Sequence, residues 1–202
     1  MAFRILAVNG SYKRGGIIDQ AVEAACAAAR AAGAETETLL LSDTEVNFCR
    51  NCRACMQAPG EKRGDCVQKD GMAALFAKAD AADALILAAP VNFFNVNAVT
   101  RRFMERLAPG AYWPWGAPAP KMRLKPARKA ALITSSAMPS LAGRLATGAV
   151  RALKAAAQAL GAKPAGTLFI GMAAMAEDQR LSGWDRRIAE RLGGRLAAGA
   201  KR

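Results

Sequence analysis

Phe3-Arg4-Ile5-Leu6-Ala7-Val8-Asn9-Gly10-Ser11-Tyr12-Lys13-Arg14-Gly15-Gly16-Ile17-Ile18-Asp19 joins an apolar run to a helix through a glycine-rich turn. Phe3 to Val8 is a short apolar run, as a buried strand requires. Asn9-Gly10-Ser11 breaks it. From Asp19 to Ala32 the chain is alanine-rich and helical, and Gly33 closes the helix. The same alternation returns four times along the chain. Strands are expected at Glu35–Leu41, Ala84–Ala88, Ala130–Thr134 and Gly166–Ile170. Helices are expected at Met72–Lys78, Asn97–Leu107, Thr147–Leu160 and Leu181–Leu196. Short, nearly all-apolar strands alternating with helices imply a parallel sheet covered on both faces.

The expected fold is therefore α/β: three layers, doubly wound, with five parallel strands. Two arrangements suit five strands, the order 2-1-3-4-5 or a truncated dinucleotide-binding fold. The 202 residues show no internal repeat and no linker, so a single domain over 1–202 is expected. It carries a cysteine-rich insertion at about 47–70 and a Trp/Pro-rich loop at about 108–127. Ligands of such sheets bind beyond the carboxyl ends of the strands. Four features converge on that edge: the glycine-rich loop, the segment after Ala89, Ser135-Ser136, and the cysteine segment after the second strand.

Composition narrows the chemistry. There is no histidine, so histidine bases, nucleophilic triads built on histidine, and histidine metal ligands are excluded. No catalytic side chain is nominated; a cofactor must carry any reaction. No apolar stretch is long enough to cross a membrane, and the opening does not read as a signal peptide, so a cytoplasmic location is expected. Net charge is +13 and uneven: residues 107–176 hold nine basic side chains and no Asp or Glu. Such a surface attracts phosphates and acidic partners.

The loop 9–19 offers a helix N-terminus, the Ser11 hydroxyl, and the charges of Lys13 and Arg14. Free N–H groups and glycine-permitted backbone can close on a phosphate. Neither a Walker A loop nor a good G-x-G-x-x-G fingerprint is present, so a single phosphate monoester fits better than a dinucleotide. An ordinary glycine-rich turn is the plain alternative. Cys49, Cys52, Cys55 and Cys66 give C-x2-C-x2-C-x10-C. Four thiolates can hold a [4Fe–4S] cluster or one zinc, and a metal-free site also stays open. Cys26, in an alanine-rich helix, is expected in the core. The loop Pro90-Val91-Asn92-Phe93-Phe94-Asn95 carries aromatics that could lie beside a flat ring and amides that could bond to its polar edges, or else supplies core and turn residues. Trp113-Pro114-Trp115 suits a lid over a cofactor or a contact between copies. No nucleic-acid-binding signature accompanies it, so nucleic acid is not an expected partner.

These residues resemble the NAD(P)H-dependent FMN reductases and the related iron–sulfur flavoproteins, which have a flavodoxin-like fold. The matching pieces are Val8 to Gly16, the four cysteines followed by Lys69-Asp70-Gly71-Met72, Ala79 to Asp83, Ala89-Pro90-Val91-Asn92-Phe93, and Arg102-Phe103-Met104-Glu105-Arg106. The resemblance implies the order 2-1-3-4-5 and FMN as cofactor. It places the FMN phosphate at Ser11, Lys13 and the backbone of Gly16, Ile17 and Ile18. The isoalloxazine would lie along Pro90, Val91, Asn92, Phe93 and Asn95, with Ser135 and Ser136 bordering its other side. The cysteines would ligate a [4Fe–4S] cluster near the flavin. Ile17 and Ile18 stand where the family usually carries Asn or Ser and then Thr. The gap before Cys66 is also longer than usual.

The implied activity is hydride transfer from NAD(P)H to flavin, then on to a quinone, a free flavin or an electron-transfer acceptor. The alternatives are an electron-carrying iron–sulfur flavoprotein and a non-catalytic binding or scaffold protein on the same fold. Expected partners are the nicotinamide nucleotide and a small-molecule or redox-protein acceptor. A homodimer or homotetramer is expected.

Overall fold

The computed structural model describes residues 2–199. The main elements are β1 (Arg4–Asn9), α1 (Ile17–Ala31), β2 (Glu35–Leu40), α2 (Met72–Ala81), β3 (Ala84–Asn92), β4 (Asn95–Val96) and α3 (Ala98–Glu105). They continue with β5 (Ala111–Tyr112), β6 (Lys121–Met122), β7 (Arg128–Ser135), α4 (Ser140–Ala146), α5 (Ala149–Ala159), β8 (Ala162–Ile170) and α6 (Gly183–Ala197). The principal sheet is parallel in the order β2-β1-β3-β7-β8. That is the expected 2-1-3-4-5 arrangement, with helices on both faces.

Alternation along the strands sends side chains to opposite faces. Leu6, Val8, Leu85, Leu87 and Leu132 pack with Met72, Leu75, Phe103 and Leu153 of α2, α3 and α5. Ile5, Ala7, Ile86 and Ile133 pack with α1 and α6. Cys26 is fully buried in this second core, as expected. Small residues let α1 and α6 approach closely: a Cβ on Gly193 would stand 1.9 Å from the Ala25 carbonyl oxygen. The central strands β1, β3 and β7 are almost wholly buried, whereas the edge strands β2 and β8 are half open. Pro164, which has no N–H to donate, sits on edge strand β8 at a register shift opposite Ala130/Ala131.

Several expectations need correction. The third strand does not end at Ala88. It runs through Pro90, which pairs with Ser135, to Asn92, and then folds back as the hairpin partner β4. A separate helix, α4, precedes α5; the pattern read as one helix from Thr147 begins at Ala149 instead. The Trp/Pro-rich stretch is not wholly irregular, since β5 and β6 pair within it.

Chain direction reverses between β1, which continues to β2 on one side, and β3 on the other. The loops after β1 and β3 therefore flank the topological switch point, where ligands of such sheets bind. Both long insertions lie in the connections around α2 and α3 and pack against each other.

Candidate functional site: a loop-lined sheet edge and a four-cysteine pocket

The loop after β1 is built from its own hydrogen bonds. The Asn9 side chain accepts from the Ser11 N–H at 2.8 Å and donates to Asp19 at 2.7 Å. Asp19 also accepts the Gly15 N–H at 2.8 Å. The Ser11 hydroxyl accepts the Lys13 N–H at 3.2 Å and donates to the Lys13 carbonyl. Gly15 takes a positive φ of 67°, which glycine adopts without strain. The helix cap is Gly16, which brings no capping side chain, so the first-turn N–H groups of α1 face the loop without a side-chain acceptor on the cap. Ile17 and Ile18 point into the core, Ile18 only 2% exposed, so both present backbone alone to the loop.

Two neighbours brace this loop. Asn97 donates to the Gly10 carbonyl at 2.6 Å, and the Tyr12 hydroxyl accepts the Val99 N–H at 2.9 Å. Gly10 is required here, since a Cβ would stand 1.9 Å from the Thr100 hydroxyl. From the other side, the segment after β8 reaches across. Lys13 donates to the Glu177 carbonyl and Gln20 to that of Gln179. Between the two lies a cavity of about 640 Å³ lined by Lys13, Arg14, Gly15, Gly16, Ile17 and Arg180, among others. The sequence carried no signal for the 173–180 wall of this cavity.

At the end of β3, Asn92 and Asn95 pair across a two-residue turn made by Phe93 and Phe94. Both phenylalanines have positive φ, 47° and 61°. Hairpins of this length favour such angles but normally meet them with Asn or Gly. Neither ring is core: Phe93 is fully exposed and Phe94 largely so. The Phe94 carbonyl accepts the Gly148 N–H at 2.8 Å, which ties the turn to the start of α5. Pro90 and Val91 are half-buried, whereas Ser135 and Ser136 are buried at the neighbouring end of β7. The Ser136 N–H is taken by the Ile170 carbonyl. Thr134, one residue before Ser135, keeps a buried hydroxyl with no partner.

The four cysteines line one cavity of about 380 Å³, with Arg53, Glu105 and Ala108 on its wall. The ten-residue spacer before Cys66 is folded back on itself. A Cβ on Gly64 would stand 1.9 Å from the Cys55 carbonyl oxygen, so only glycine allows that approach. Arg123, buried, donates to the carbonyls of Gly60 at 3.0 Å, Ala58 at 2.7 Å and Cys55 at 3.4 Å. Arg53, between Cys52 and Cys55, is held between the rings of Trp113 and Trp115, 4.3 and 4.1 Å from their centroids. The Trp/Pro-rich stretch is thus the outer wall of the cysteine segment. Burial pushes the Cys55 thiol up to about 11, and the nearby Cys66, Cys49 and Cys52 add to the shift. Among the described residues no three Cys, His, Asp or Glu side chains converge closely enough to grip a single ion.

One expectation about placement changes. The cysteine segment leaves the carboxyl end of β2, but its cavity borders Glu105 and Ala108 at the C-terminal end of α3. The loops after β1 and β3 meet at the N-terminal end of that helix, where Asn97 is the cap. Eight residues of helix separate the two, about 12 Å at 1.5 Å per residue. Three of the four features share the sheet edge; the fourth lies down the flank.

The sequence profile of the NADPH-dependent FMN reductase family matches residues 3–177, and the chain belongs to that family. FMN is the cofactor of this oxidoreductase family, with a nicotinamide nucleotide as co-substrate. The chain is 31% identical over 111 residues to an iron–sulfur flavoprotein of Archaeoglobus fulgidus, covering 55% of this chain and 48% of that one. It is 33% identical over 103 residues to an iron–sulfur flavoprotein of Methanosarcina thermophila, covering 51% of each. The chain therefore spans about half the length of the curated relatives it matches. Among solved structures it is similar to an FMN-dependent NADH-azoreductase of Bacillus anthracis in complex with FMN. There the TM-score is 0.71 at 13% identity, over 96% of this chain and 99% of that one. An NAD(P)H:quinone oxidoreductase of Methanothermobacter marburgensis matches with TM-score 0.67 at 13% identity, over 98% of both chains. At these identities the structural likeness establishes the fold.

Proposed function

We propose that this protein is an FMN-dependent NAD(P)H oxidoreductase whose four cysteines hold a [4Fe–4S] cluster. The observation that carries it is the pairing of two built sites on one fold: an uncapped helix N-terminus at the switch point, and a single cavity ringed by Cys49, Cys52, Cys55 and Cys66. The loop after β1 fits a phosphate monoester. Its first-turn amides are directed at it, Lys13 and Arg14 supply charge, and the cap has no side chain to compete. In this reading Ser11, Lys13 and the backbone of Gly16, Ile17 and Ile18 hold the phosphate. Pro90, Val91, Asn92, Phe93 and Asn95 border one side of the ring system, and Ser135 and Ser136 the other.

FMN held by these loops would supply hydride chemistry between a nicotinamide nucleotide and a quinone, a free flavin or a redox protein. The residues of this chain bind and orient; none is needed to move a proton. The hairpin turn at Phe93-Phe94 presents exposed apolar surface beside the proposed flavin site. The compact Cys49/Cys52/Cys55 triplet, with Cys66 set apart, supports a cluster over zinc, which usually takes its cysteines as two pairs. Exposed Tyr12, Phe93, Phe94, Leu141 and Leu145 near the sheet edge favour a homodimer or homotetramer, and a cytoplasmic location belongs to the same reading. No helix among the described residues is long and apolar enough to cross a membrane.

The test is quantification of flavin, iron and zinc on anaerobically purified protein, with its visible spectrum. One flavin and about four irons per chain are expected. Flavin without iron after reconstitution would reduce the protein to a simple flavin reductase. Neither flavin nor metal would favour a non-catalytic binding protein.

A further inference from the structure

Lys69-Asp70-Gly71-Met72 and Arg102 to Arg106 lie outside the loops proposed to hold FMN. In the structure they meet. Arg106 and Asp70 form a two-pronged ion pair, Nη1 to Oδ2 at 2.6 Å and Nη2 to Oδ1 at 3.0 Å, with side chains only 2% and 5% exposed. Arg106 also donates to the Asn47 carbonyl at 2.9 Å. Its Nη2 lies 3.6 Å from the Cys66 sulfur. Asp70 accepts the N–H groups of Asn47 at 2.8 Å and Met72 at 3.1 Å. One guanidinium therefore closes the neck of the cysteine segment, touching the backbone just before Cys49 and the sulfur of Cys66.

A buried ion pair is weak evidence for stability, because desolvation offsets much of its attraction. An arginine whose fork is already filled by a carboxylate is instead a rigid donor. Hydrogen bonds to cluster sulfurs, and nearby positive charge, favour the reduced, more negative cluster. We propose that Arg106 is the positioning residue of the cysteine site: it fixes Cys66 and, through an N–H···S hydrogen bond, raises the reduction potential of the bound cluster. This rests on the cysteines being cluster ligands.

The experiment compares wild type, Arg106→Lys, and the double variant R106M/D70N after anaerobic reconstitution with ferrous iron and sulfide. Arg106→Lys keeps the charge but lacks the fork. The double variant removes both charges together, so no unpaired ion is left buried. In both, the cluster midpoint should move to more negative potential by about tenfold in the one-electron reduction equilibrium, about 59 mV. The flavin midpoint should not move. A wild-type protein that binds FMN but takes up no iron overturns the cluster reading, and the proposal with it, before any variant is compared. A wild type with four irons, and variants equally loaded with an unchanged cluster midpoint, overturn the proposal alone, even if they melt earlier. If Arg106→Lys does not load, the double variant decides.

Discussion

Asp70 gathers two backbone N–H groups and both prongs of Arg106. Burial works against its charge, but Arg106 and the N–H groups of Asn47 and Met72 hold its carboxyl down at about 2, against an ordinary value of 3.8. A carboxyl held below its unfolded value contributes stability above that value and loses it as pH falls through the folded one. Asp70→Asn should therefore cost about 2 kcal/mol at neutral pH, with the difference from wild type fading between pH 4 and 2. Chemical denaturation across that range measures it. A second residue-scale prediction concerns Lys13 on the wall of the loop cavity. Lys13→Glu reverses a charge beside the proposed phosphate and should weaken FMN binding by about tenfold, roughly 1.4 kcal/mol, as read by flavin fluorescence quenching. The sequence made Lys13 legible as a candidate. It marked Asp70 and Arg106 only as part of a resemblance, because a bond spanning 36 positions leaves no local spacing to read.

Among the elements, the β3–β4 hairpin shows strain retained at an exposed place. Positive φ costs a non-glycine residue roughly 1–2 kcal/mol, and Phe94 at 61° carries that cost with its ring in solvent. Phe94→Gly should raise unfolding stability by about 1 kcal/mol while weakening FMN retention. A stability gain with unchanged flavin affinity would separate the turn from the site. The cysteine spacer is the opposite case, where glycine is needed for room. Gly64→Ala drives a Cβ into the Cys55 carbonyl, so iron incorporation at the proposed cluster site should fall sharply while FMN binding holds, because the loops proposed to bind flavin are at the other end of α3. The existence of the strands and long helices was legible from apolar runs and their punctuation. The hairpin was not, because two phenylalanines are a poor signal for a turn that favours Asn-Gly. Nor was α4, a seven-residue helix whose Leu141 and Leu145 face solvent and so show no core-facing period.

Across the whole molecule, the doubly wound sheet does the positioning. Strand order 2-1-3-4-5 creates one switch point, and the loops after β1 and β3 flank it, wired together by Asn97 and Tyr12. That much follows from alternating strands and helices. Where the insertions pack does not, since Trp113 and Trp115 find Arg53 across about sixty positions of chain. The Trp/Pro-rich insertion packs on the outside of the cysteine segment, through Arg53 between its two tryptophans and through Arg123 on the carbonyls of the spacer. In the proposed function this fold binds FMN, and a nicotinamide nucleotide reduces it. An anaerobic titration of the FMN-reconstituted protein with NADPH and with NADH, following flavin absorption at about 450 nm, tests this. At least one nucleotide should bleach that band at about one equivalent per flavin. A protein that holds FMN but is bleached by neither, or that retains no FMN at all, would rule the function out.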